Sequence, residues 1–556
     1  MTAFVKKNIG LLIFLLIGLF LAKGVVYIRL DLTSDKRYTL TEATTKVLEK
    51  VDEPMEVDVY LDGDFPADFK QLQSETLSLL DEFRRVNPHI TYKLIDPIKE
   101  KISQDTLQGM GMEPSALRVE KDGISTQIIL FPYATIKYKG YGHTVPLIIE
   151  QAGITADEQM SQSIGNLEYG FISAIDKLSN DHLKTVGILV NQKELNKHEM
   201  FSFVNRIIQD YNFGPVFPED GKSLKIKDLS AMKKFDAIII AKPRKAFTDQ
   251  EKITIDQYIM NGGKTLWAID QINAEMDTLL KSNKIVAYPY DLNLTDLLFS
   301  YGVRIKPAVI KDIQNTAYIN LQVGEVQGNA QNAKVPWVYF PLGFSLNNNP
   351  ITKNINPVRF EFPSPIDTLP VPEVKKTILY QSSPYTNIQG TPSYISLEEA
   401  KISIKDSANL MAYNKGQQIM AVLLEGRFAS AYADRIESSG IQNFITRSKS
   451  NKMIVISDGD VARNQVIKGQ PLPLGFDYST GVTYGNEEFL LNALNYLLDD
   501  SGLMLLRNRT IQMRLLNRQT LMMERSYWQW FNLLVPIGGI AIIGLGFIFW
   551  RRKKFS

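Results

Sequence analysis

The residues with the clearest capacity for chemistry are two carboxylates in the segment Val455-Ile-Ser-Asp-Gly-Asp460, which continues a short apolar run. If that run is a strand of a parallel sheet, Asp458 and Asp460 lie at its carboxyl edge, where such sheets commonly bind ligands. Carboxylate oxygens are ligands that a divalent cation prefers. A plain turn has the same composition, and the pattern favours that interpretation. No nucleophile with a neighbouring base is visible, so we predict no catalytic residue.

Two other segments resemble the end of a phosphate-binding loop, Gly263-Lys264-Thr265 and Gly221-Lys222-Ser223. Such a loop needs a glycine five places earlier, where this chain has Tyr258 and Val216. The first segment also precedes a predicted strand instead of following one. We therefore predict that the chain does not hydrolyse nucleotides by itself.

The amino-acid composition excludes several further classes of functional site. The chain has no cysteine, which excludes disulfides, zinc-thiolate sites and cysteine nucleophiles. Its 62 basic and 60 acidic residues leave a net charge of +2, which gives no electrostatic reason to expect a nucleic-acid partner. The four histidines lack metal-ligand spacing and are expected in solvated or capping roles: His89, His143, His182 and His198. No cofactor or metal is predicted.

Four arginines near the carboxyl terminus follow a helical spacing. Arg507, Arg514, Arg518 and Arg525 recur at intervals of seven, four and seven, which places them on one face of a predicted amphipathic stalk helix over 501–529. One interpretation is a helix packed on its own domain with a solvated basic face. The other is a helix that meets lipid headgroups or a partner subunit.

Folded elements must position these residues, and the chain is predicted to be an α/β protein. Strands at 55–61 and 90–95 flank a helix at 67–86, which is a βαβ unit. Apolar strands at 185–190, 235–241 and 264–269 alternate with helices at 198–211 and 249–260, a pattern typical of a doubly wound parallel sheet. The predicted boundaries are an N-terminal α/β domain over 29–157, a bridging helix over 158–180, a parallel-sheet domain over 181–313, a β-rich insertion over 314–417 and a return to the sheet over 418–500.

Two apolar runs frame this region, at 9–28 and 530–550. Twenty-one residues of helix reach roughly 31 Å, the thickness of a bilayer's hydrocarbon core. The first run could be a cleaved secretory signal, but no small-residue cleavage site follows it, which favours an anchor. Gly18 and Ala22 form a small-xxx-small patch that would allow another helix to approach closely. Tails at 1–8 and 551–556 are expected in the cytoplasm, with the long central region in the periplasm.

Five segments carry a resemblance to a known family. They are Arg29-Leu-Asp-Leu-Thr-Ser-Asp-Lys-Arg-Tyr-Thr-Leu40, Phe235-Asp-Ala-Ile-Ile-Ile-Ala-Lys-Pro243, Ile255-Asp-Gln-Tyr-Ile-Met-Asn-Gly-Gly-Lys264, Asp296-Leu-Leu-Phe-Ser-Tyr-Gly302 and Val455-Ile-Ser-Asp-Gly-Asp460. Along its whole length the chain resembles the GldG family, the gliding-motility ABC-transporter auxiliary proteins of Bacteroidota. The resemblance implies a flavodoxin- or amidotransferase-like sheet in the second domain. It carries over no ligand residue and no amidase activity, because that activity needs a cysteine.

The leading hypothesis is a structural and coupling subunit of an ABC-type complex in the inner membrane, without catalytic activity of its own. Two spans are too few to line a transport pathway, so a separate permease and a cytoplasmic ATPase are expected as partners, together with the lipid bilayer. Other motility or secretion components are further candidate partners. The alternative is a membrane-anchored periplasmic enzyme or glycan-binding module that uses the sheet edge at Asp458 and Asp460.

Overall fold

A computed structural model describes residues 39–63, 65–121, 124–180, 182–218, 221, 223–326, 329–345, 348–402, 407–435, 443–509 and 523–555. The chain divides into two compact units, with the division after residue 510. The first unit holds the α/β region, and the described part of the second is the helix Arg525–Phe555 at the carboxyl terminus.

The N-terminal part of the first unit contains the predicted βαβ unit. Strands β1 and β2, which precede and follow α2 along the chain, pair in parallel. Strand β5 pairs with β1 in the antiparallel direction, and β6 pairs with β5 in the same way. Phe83 of α2 meets Phe171 of α4 edge to face, at 6.5 Å between ring centroids. The elements are α1 Glu42–Leu48, β1 Met55–Val59, α2 Ala67–Val86, β2 Ile90–Leu94, α3 Gln104–Gly109, β3 Ser115–Lys121, β4 Ile124–Leu130, β5 Tyr133–Tyr138, β6 Tyr141–Pro146 and α4 Ala156–Ser179.

The centre of the first unit is a nine-stranded sheet. Five parallel strands lie in the order β8-β7-β9-β10-β23, so that their order along the chain reads 2-1-3-4-5, the flavodoxin-like order. The elements up to residue 305 are β7 Thr185–Leu189, α5 Phe201–Asp210, β8 Asn212–Val216, α6 Leu229–Met232, β9 Ala237–Ala241, α7 Asp249–Met260, β10 Lys264–Ala268, β11 Ile272–Asn273, α8 Met276–Ser282, β12 Lys284–Pro289, α9 Thr295–Ser300 and β13 Val303–Ile305.

Both faces of this sheet are buried, which explains why its strands are apolar almost throughout. Ile239, Leu266 and Ile454 face one core together with α5 and the later helix α11 Asn486–Leu498. Their neighbours Ile240 and Trp267 face a second core together with α7 and α9. Helices therefore cover both faces, as the alternating pattern predicts.

The parallel direction predicted for the strand near 418–424 is wrong. This strand, β22 Ile419–Ala429, runs antiparallel to β23 Arg447–Ile456, and the sheet is therefore mixed. The connection between them carries no crossover helix among its described residues, and a parallel pair needs such a crossover. Apolar composition reports burial on two faces and does not encode strand direction, which is why the sequence was misleading here.

The region predicted as a separate β-rich insertion is mostly strand, but two of its strands join the central sheet. β18 and β19 both pair with β22. The rest packs into a core around Trp337, Tyr339 and Phe362, which also includes residues from outside the region, such as Leu279 and Tyr484. The elements are β14 Ala308–Asp312, β15 Thr316–Val326, β16 Asn329–Gly343, β17 Val358–Arg359, β18 Ile366–Thr368, β19 Val374–Gln381, β20 Thr386–Gly390, β21 Ser393–Ser396 and α10 Ser407–Ala412. After β23 come four two-residue strands: β24 Val466–Ile467, β25 Gln470–Pro471, β26 Phe476–Asp477 and β27 Val482–Thr483.

The predicted stalk helix over 501–529 is wrong at its beginning. Leu503–Asn508 is a 3-10 helix, entered through Gly502 in the left-handed region at φ 79°. The carboxylate of Asp499 accepts backbone N–H groups from 501 to 504 and so fixes this turn. Leu503, Met504 and Leu506 are buried. The arginine spacing gave no sign of this turn.

Helix α12, Arg525–Phe555, forms the described part of the second unit. Its stretch Arg525–Lys554 is long and apolar enough to cross a membrane, with a mean hydropathy of 2.3 over its most apolar 18 residues, and contains the predicted span at 530–550. It is the one helix of this kind within the described ranges. The other predicted span at 9–28, with Gly18 and Ala22, lies outside the described residues.

Candidate functional site

The register of the parallel strands brings polar residues together at one edge of the central sheet. Ala241 at the end of β9 pairs with Ala268 of β10, which pairs with Ile456 of β23. The residues that follow these three positions therefore emerge side by side. They include Lys242, Asp270, Asp458 and Asp460, which define the acidic edge.

The ammonium group of Lys242 lies at the centre of the acidic edge. Its Nζ is 2.5 Å from Oδ2 of Asp460, 3.2 Å from Oδ2 of Asp270 and 3.1 Å from Oε1 of Glu275. The Lys242 side chain is fully buried. Gly459 is required beside it, because a Cβ at that position would lie 2.5 Å from Cβ of Lys242. Lys242 thus bridges the ends of three strands.

Burial and charge shift the ionisation of these groups in opposite directions. Burial alone would lower the pKa of Lys242, but the neighbouring carboxylates raise it well above its usual value. Burial raises the pKa of Asp270 to about 6 and raises the pKa of Asp458 well above its usual range. Burial would raise the pKa of Asp460 too, but the charges of Lys242 and Arg463 lower it.

Hydrogen bonds connect the acidic edge to the β-rich region. The backbone N–H of Glu361 donates to Oδ2 of Asp458 at 2.6 Å. The Glu361 side chain accepts from Arg359 at 2.5 Å, and Arg359 also donates to Asp477 at 2.6 Å. The network is therefore continuous from the central sheet to the turn that carries Asp477.

The structure brings Asp458 and Asp460 together with Asp270, and one ligand oxygen from each lies within 4.8 Å of the others. Three carboxylates at this spacing could ligate a cation. However, Lys242 already supplies a positive charge at hydrogen-bonding distance from Asp270 and Asp460. A divalent ion placed there would be repelled by the ammonium group. The arrangement fits an internal ion network better than a metal centre.

Sequence analysis missed Lys242 and Asp270. Each one comes within two residues of the end of a strand whose position was predicted correctly. Placing the carboxyl ends of the predicted parallel strands next to each other would have found both.

Another buried carboxyl group, outside the acidic edge, lies after β7. Glu194 is 9% exposed, and its Oε2 accepts the backbone N–H of Gln192 at 2.7 Å. The Gln192 side chain donates in turn to Glu251 at 2.8 Å. Oε1 of Glu194 has no partner among the described residues. Burial raises the pKa of Glu194 to about 7.

This environment predicts a pH-dependent effect of Glu194→Gln. The pKa of Glu194 is about 7 in the folded chain and 4.5 in its unperturbed state, so the ionised carboxylate destabilises the fold above pH 7. The variant should be more stable by about 2–3 kcal/mol at pH 8, and the gain should vanish as pH falls to 4.5. Denaturant unfolding of both proteins between pH 4 and 8 measures this difference. Exposed Glu150→Gln is the control and should show no such pH dependence; a gain of equal size at pH 4 would contradict the prediction.

The structure describes two of the four arginines of the predicted basic face, Arg507 and Arg525. Arg507 belongs to the 3-10 helix and donates to Oδ1 of Asn492 and to the carbonyl of Lys353, both at 2.8 Å. Arg525 begins α12 in the other unit. Arg514 and Arg518 lie outside the described residues. Lipid or partner contact by these residues stays a prediction.

A contact that the sequence did not predict joins the two ends of the first unit. Glu168 of α4 accepts the backbone N–H of Thr41 at 3.1 Å and the hydroxyl of Thr44 at 2.7 Å. It also forms an ion pair with Arg509, which donates to the carbonyl of Thr39 at 3.3 Å. We call this set the Glu168 clamp. The first and last described residues of the first unit therefore lie side by side.

Comparison with known families identifies the main region. Residues 183–493, which contain the whole acidic edge, match the family described as an ABC-type uncharacterized transport system. The chain belongs to this family. Membership supports an accessory role in association with an ABC transporter. Residues 34–137 match a domain of unknown function, DUF7088.

Among individual proteins, an uncharacterized protein of Borreliella burgdorferi is 23% identical over 474 residues, which cover 84% of each chain. The solved structures include the N-terminal domain of mmIFT52, at 13% identity and a TM-score of 0.31, covering 57% of this chain and 99% of that one. They also include a ThuA-like protein from Parabacteroides merdae, at 10% identity and a TM-score of 0.24, covering 57% of this chain and 89% of that one. Both TM-scores are too low for any argument about function.

Proposed function

We propose that the chain is a membrane-anchored, periplasmic coupling subunit of an ABC-type transport complex that supports gliding motility. It contributes contacts and no catalysis. The observation that carries this proposal is that the chain's own side chains occupy the carboxyl edge of the parallel sheet. Sheets of this type place their active sites there, and in this chain Lys242, Asp270 and Asp460 fill the position with their own ion pairs.

The membrane part of the proposal rests on the apolar runs. The exposed apolar side chains of α12 suit a lipid environment, and its basic end at Arg551 and Arg552 suits the cytoplasmic side. With a second span at 9–28, both tails would lie in the cytoplasm and the region 29–529 in the periplasm.

The partner part of the proposal follows from what one such chain can do. Two spans cannot line a transport pathway, and neither phosphate-loop-like segment has the required glycine. A multi-span permease and, through it, a cytoplasmic ATPase would supply these functions. The assignment to gliding motility, and to the GldG family of Bacteroidota, rests on the sequence motifs that begin at Arg29, Phe235 and Val455.

The test is the double variant Gly18→Leu with Ala22→Leu. Without a hydrophobic drive between helices in lipid, close packing at small residues must contribute much of the association. We expect a severalfold lower yield of the permease when the full chain is purified from native membranes, together with impaired gliding. Mass spectrometry of the co-eluting chains measures the yield. The double variant Leu16→Ile with Phe20→Leu, on the opposite side of the predicted span, is the control.

Two outcomes separate the possibilities. Full permease yield from both variants would mean that the first span is only a tether. The absence of any permease or ATPase from the wild-type preparation would contradict the proposed function itself.

A further inference from the structure

Two basic side chains, Lys353 and Arg507, are neighbours that share no acidic partner. The guanidinium of Arg507 donates through Nη2 to the backbone carbonyl of Lys353 at 2.8 Å. Across the described ranges, neither residue forms an ion pair with a carboxylate, whereas the adjacent Arg509 pairs with Glu168. The pair is therefore a local excess of positive charge.

Both charges are largely removed from solvent. Lys353 is 9% exposed, and the hydrogen bond of its Nζ goes to the carbonyl of Arg509 at a long 3.4 Å. Arg507 stacks over Tyr169 at 5.4 Å from the ring centroid and donates through Nη1 to Asn492. Burial lowers the pKa of both groups, and the charge of Arg507 lowers that of Lys353 further. The buried carboxyl group of Glu488 is close enough to interact with Arg507, but burial raises the pKa of Glu488, so the positive charge of the pair is only partly balanced. Removing two like charges from water without a full counter-charge is costly.

Hydrogen-bond donors without acceptors mark the same place. The Nε of Arg507 is buried and has no acceptor among the described residues. The hydroxyl of Tyr380, near enough for the charge of Arg507 to influence its pKa, is fully buried and also lacks a partner in the described chain. Buried polar groups in folded proteins are normally hydrogen-bonded. The site therefore has spare donors and positive charge, and no carboxylate in the described part of the chain accepts a hydrogen bond from either basic side chain.

We propose that Lys353 and Arg507 bind a phosphate group, and that an anionic phospholipid headgroup is its source in the membrane. A phosphate offers several acceptor oxygens, which suits the fork of an arginine together with the point charge of a lysine. The site lies on the segment that leads into the predicted membrane helix, because Arg507 precedes Arg525 by eighteen residues. The choice of a lipid rests on the proposed membrane function. The phosphate chemistry does not.

The test uses the full chain, purified in an uncharged maltoside detergent without any partner protein. Thermal unfolding midpoints are measured with inorganic phosphate, with short-chain phosphatidylglycerol, with short-chain phosphatidylcholine and with chloride at matched ionic strength. Ligand that binds only the folded state raises the midpoint by mass action. We expect phosphatidylglycerol to raise it by several degrees, at about one-tenth or less of the concentration that inorganic phosphate requires, since the lipid is the proposed source.

Variants locate the effect. Lys353→Gln with Arg507→Gln should abolish the shift, whereas Arg447→Gln, an exposed arginine that pairs with Glu373, should retain it. The unfolding midpoint of Lys353→Met is a second test, and it needs no ligand. Because no described carboxylate forms an ion pair with the lysine, this variant should be at least as stable as the wild type when no phosphate is present.

Each outcome decides the proposal. Equal shifts with inorganic phosphate and with phosphatidylglycerol would support the phosphate site and assign it to free phosphate. A shift no larger than that of the chloride control would overturn the proposal, and so would a double glutamine variant that keeps the full shift. A marked loss of stability in Lys353→Met without ligand would show that the lysine is already compensated, which also overturns it. Because no permease is present, none of these results depends on the coupling function.

Discussion

Replacing Lys242 with methionine is expected to destabilise the folded protein by about 3–5 kcal/mol, because removing one partner of a buried ion network leaves the other charges uncompensated. The ammonium group of Lys242 contacts Asp270, Glu275 and Asp460 within 3.2 Å, and its side chain is fully buried. Methionine has a similar length but no charge, so packing is largely retained and the electrostatic loss dominates. Urea unfolding of the full chain in detergent, followed by near-ultraviolet circular dichroism, measures the change.

Two further variants make this result specific. Lys245→Met changes an exposed lysine in the same loop and should alter the unfolding free energy by no more than about 0.5 kcal/mol. Combining Lys242→Met with Asp460→Asn should recover part of the loss, because residues within one ion network are not additive. A loss below about 1 kcal/mol for Lys242→Met alone would mean that the network contributes little to stability.

The second large effect is expected at the Glu168 clamp. Glu168→Ala should lower the free energy of unfolding by about 2–4 kcal/mol, because it removes the ion pair with Arg509 and an acceptor for the hydroxyl of fully buried Thr44. The variant should loosen the backbone around the clamp in addition to lowering the overall free energy of unfolding. Amides near Thr41 and in the 3-10 helix Leu503–Asn508 should exchange with solvent faster than those of the central sheet.

Hydrogen exchange of the full chain, read by mass spectrometry, distinguishes this pattern from general destabilisation. Glu42→Ala is the matched control, since Glu42 forms an exposed ion pair with Lys46 in the same segment. Its exchange pattern should resemble that of the wild type. Uniform protection in Glu168→Ala would mean that the two chain ends are held by other contacts.

Much of the fold could be predicted because burial leaves a direct trace in the sequence. The run Ala237–Ala241 is apolar at every position since both of its faces are covered, and this is enough to place β9. The long helix α2 repeats its buried residues Leu72, Thr76, Leu80 and Phe83 at helical spacing. Apolar runs and helical spacing therefore identify which residues are buried.

The relations between distant elements left no comparable trace. Nothing in the composition of β22 distinguishes an antiparallel neighbour from a parallel one. Lys242 looked like an ordinary loop lysine, because its three acidic partners are contributed by other segments. The seven-four-seven spacing of the arginines is real, yet the turn made by Asp499 and Gly502 redirects the chain before the pattern begins. Strand register and the hydrogen bonds of turns determine these features. The periodicity of apolar or charged residues carries no information about either.

The Glu168 clamp has a mechanical consequence. Thr39 and Arg509 are the first and last described residues of the first unit, and the guanidinium of Arg509 donates to the carbonyl of Thr39 at 3.3 Å. A pulling force applied to the chain on both sides of these residues would act first on the few bonds of the clamp. The strands of the central sheet lie outside that path and would carry no tension until the clamp opened. The clamp can therefore bear a small force while the central sheet of the first unit stays intact.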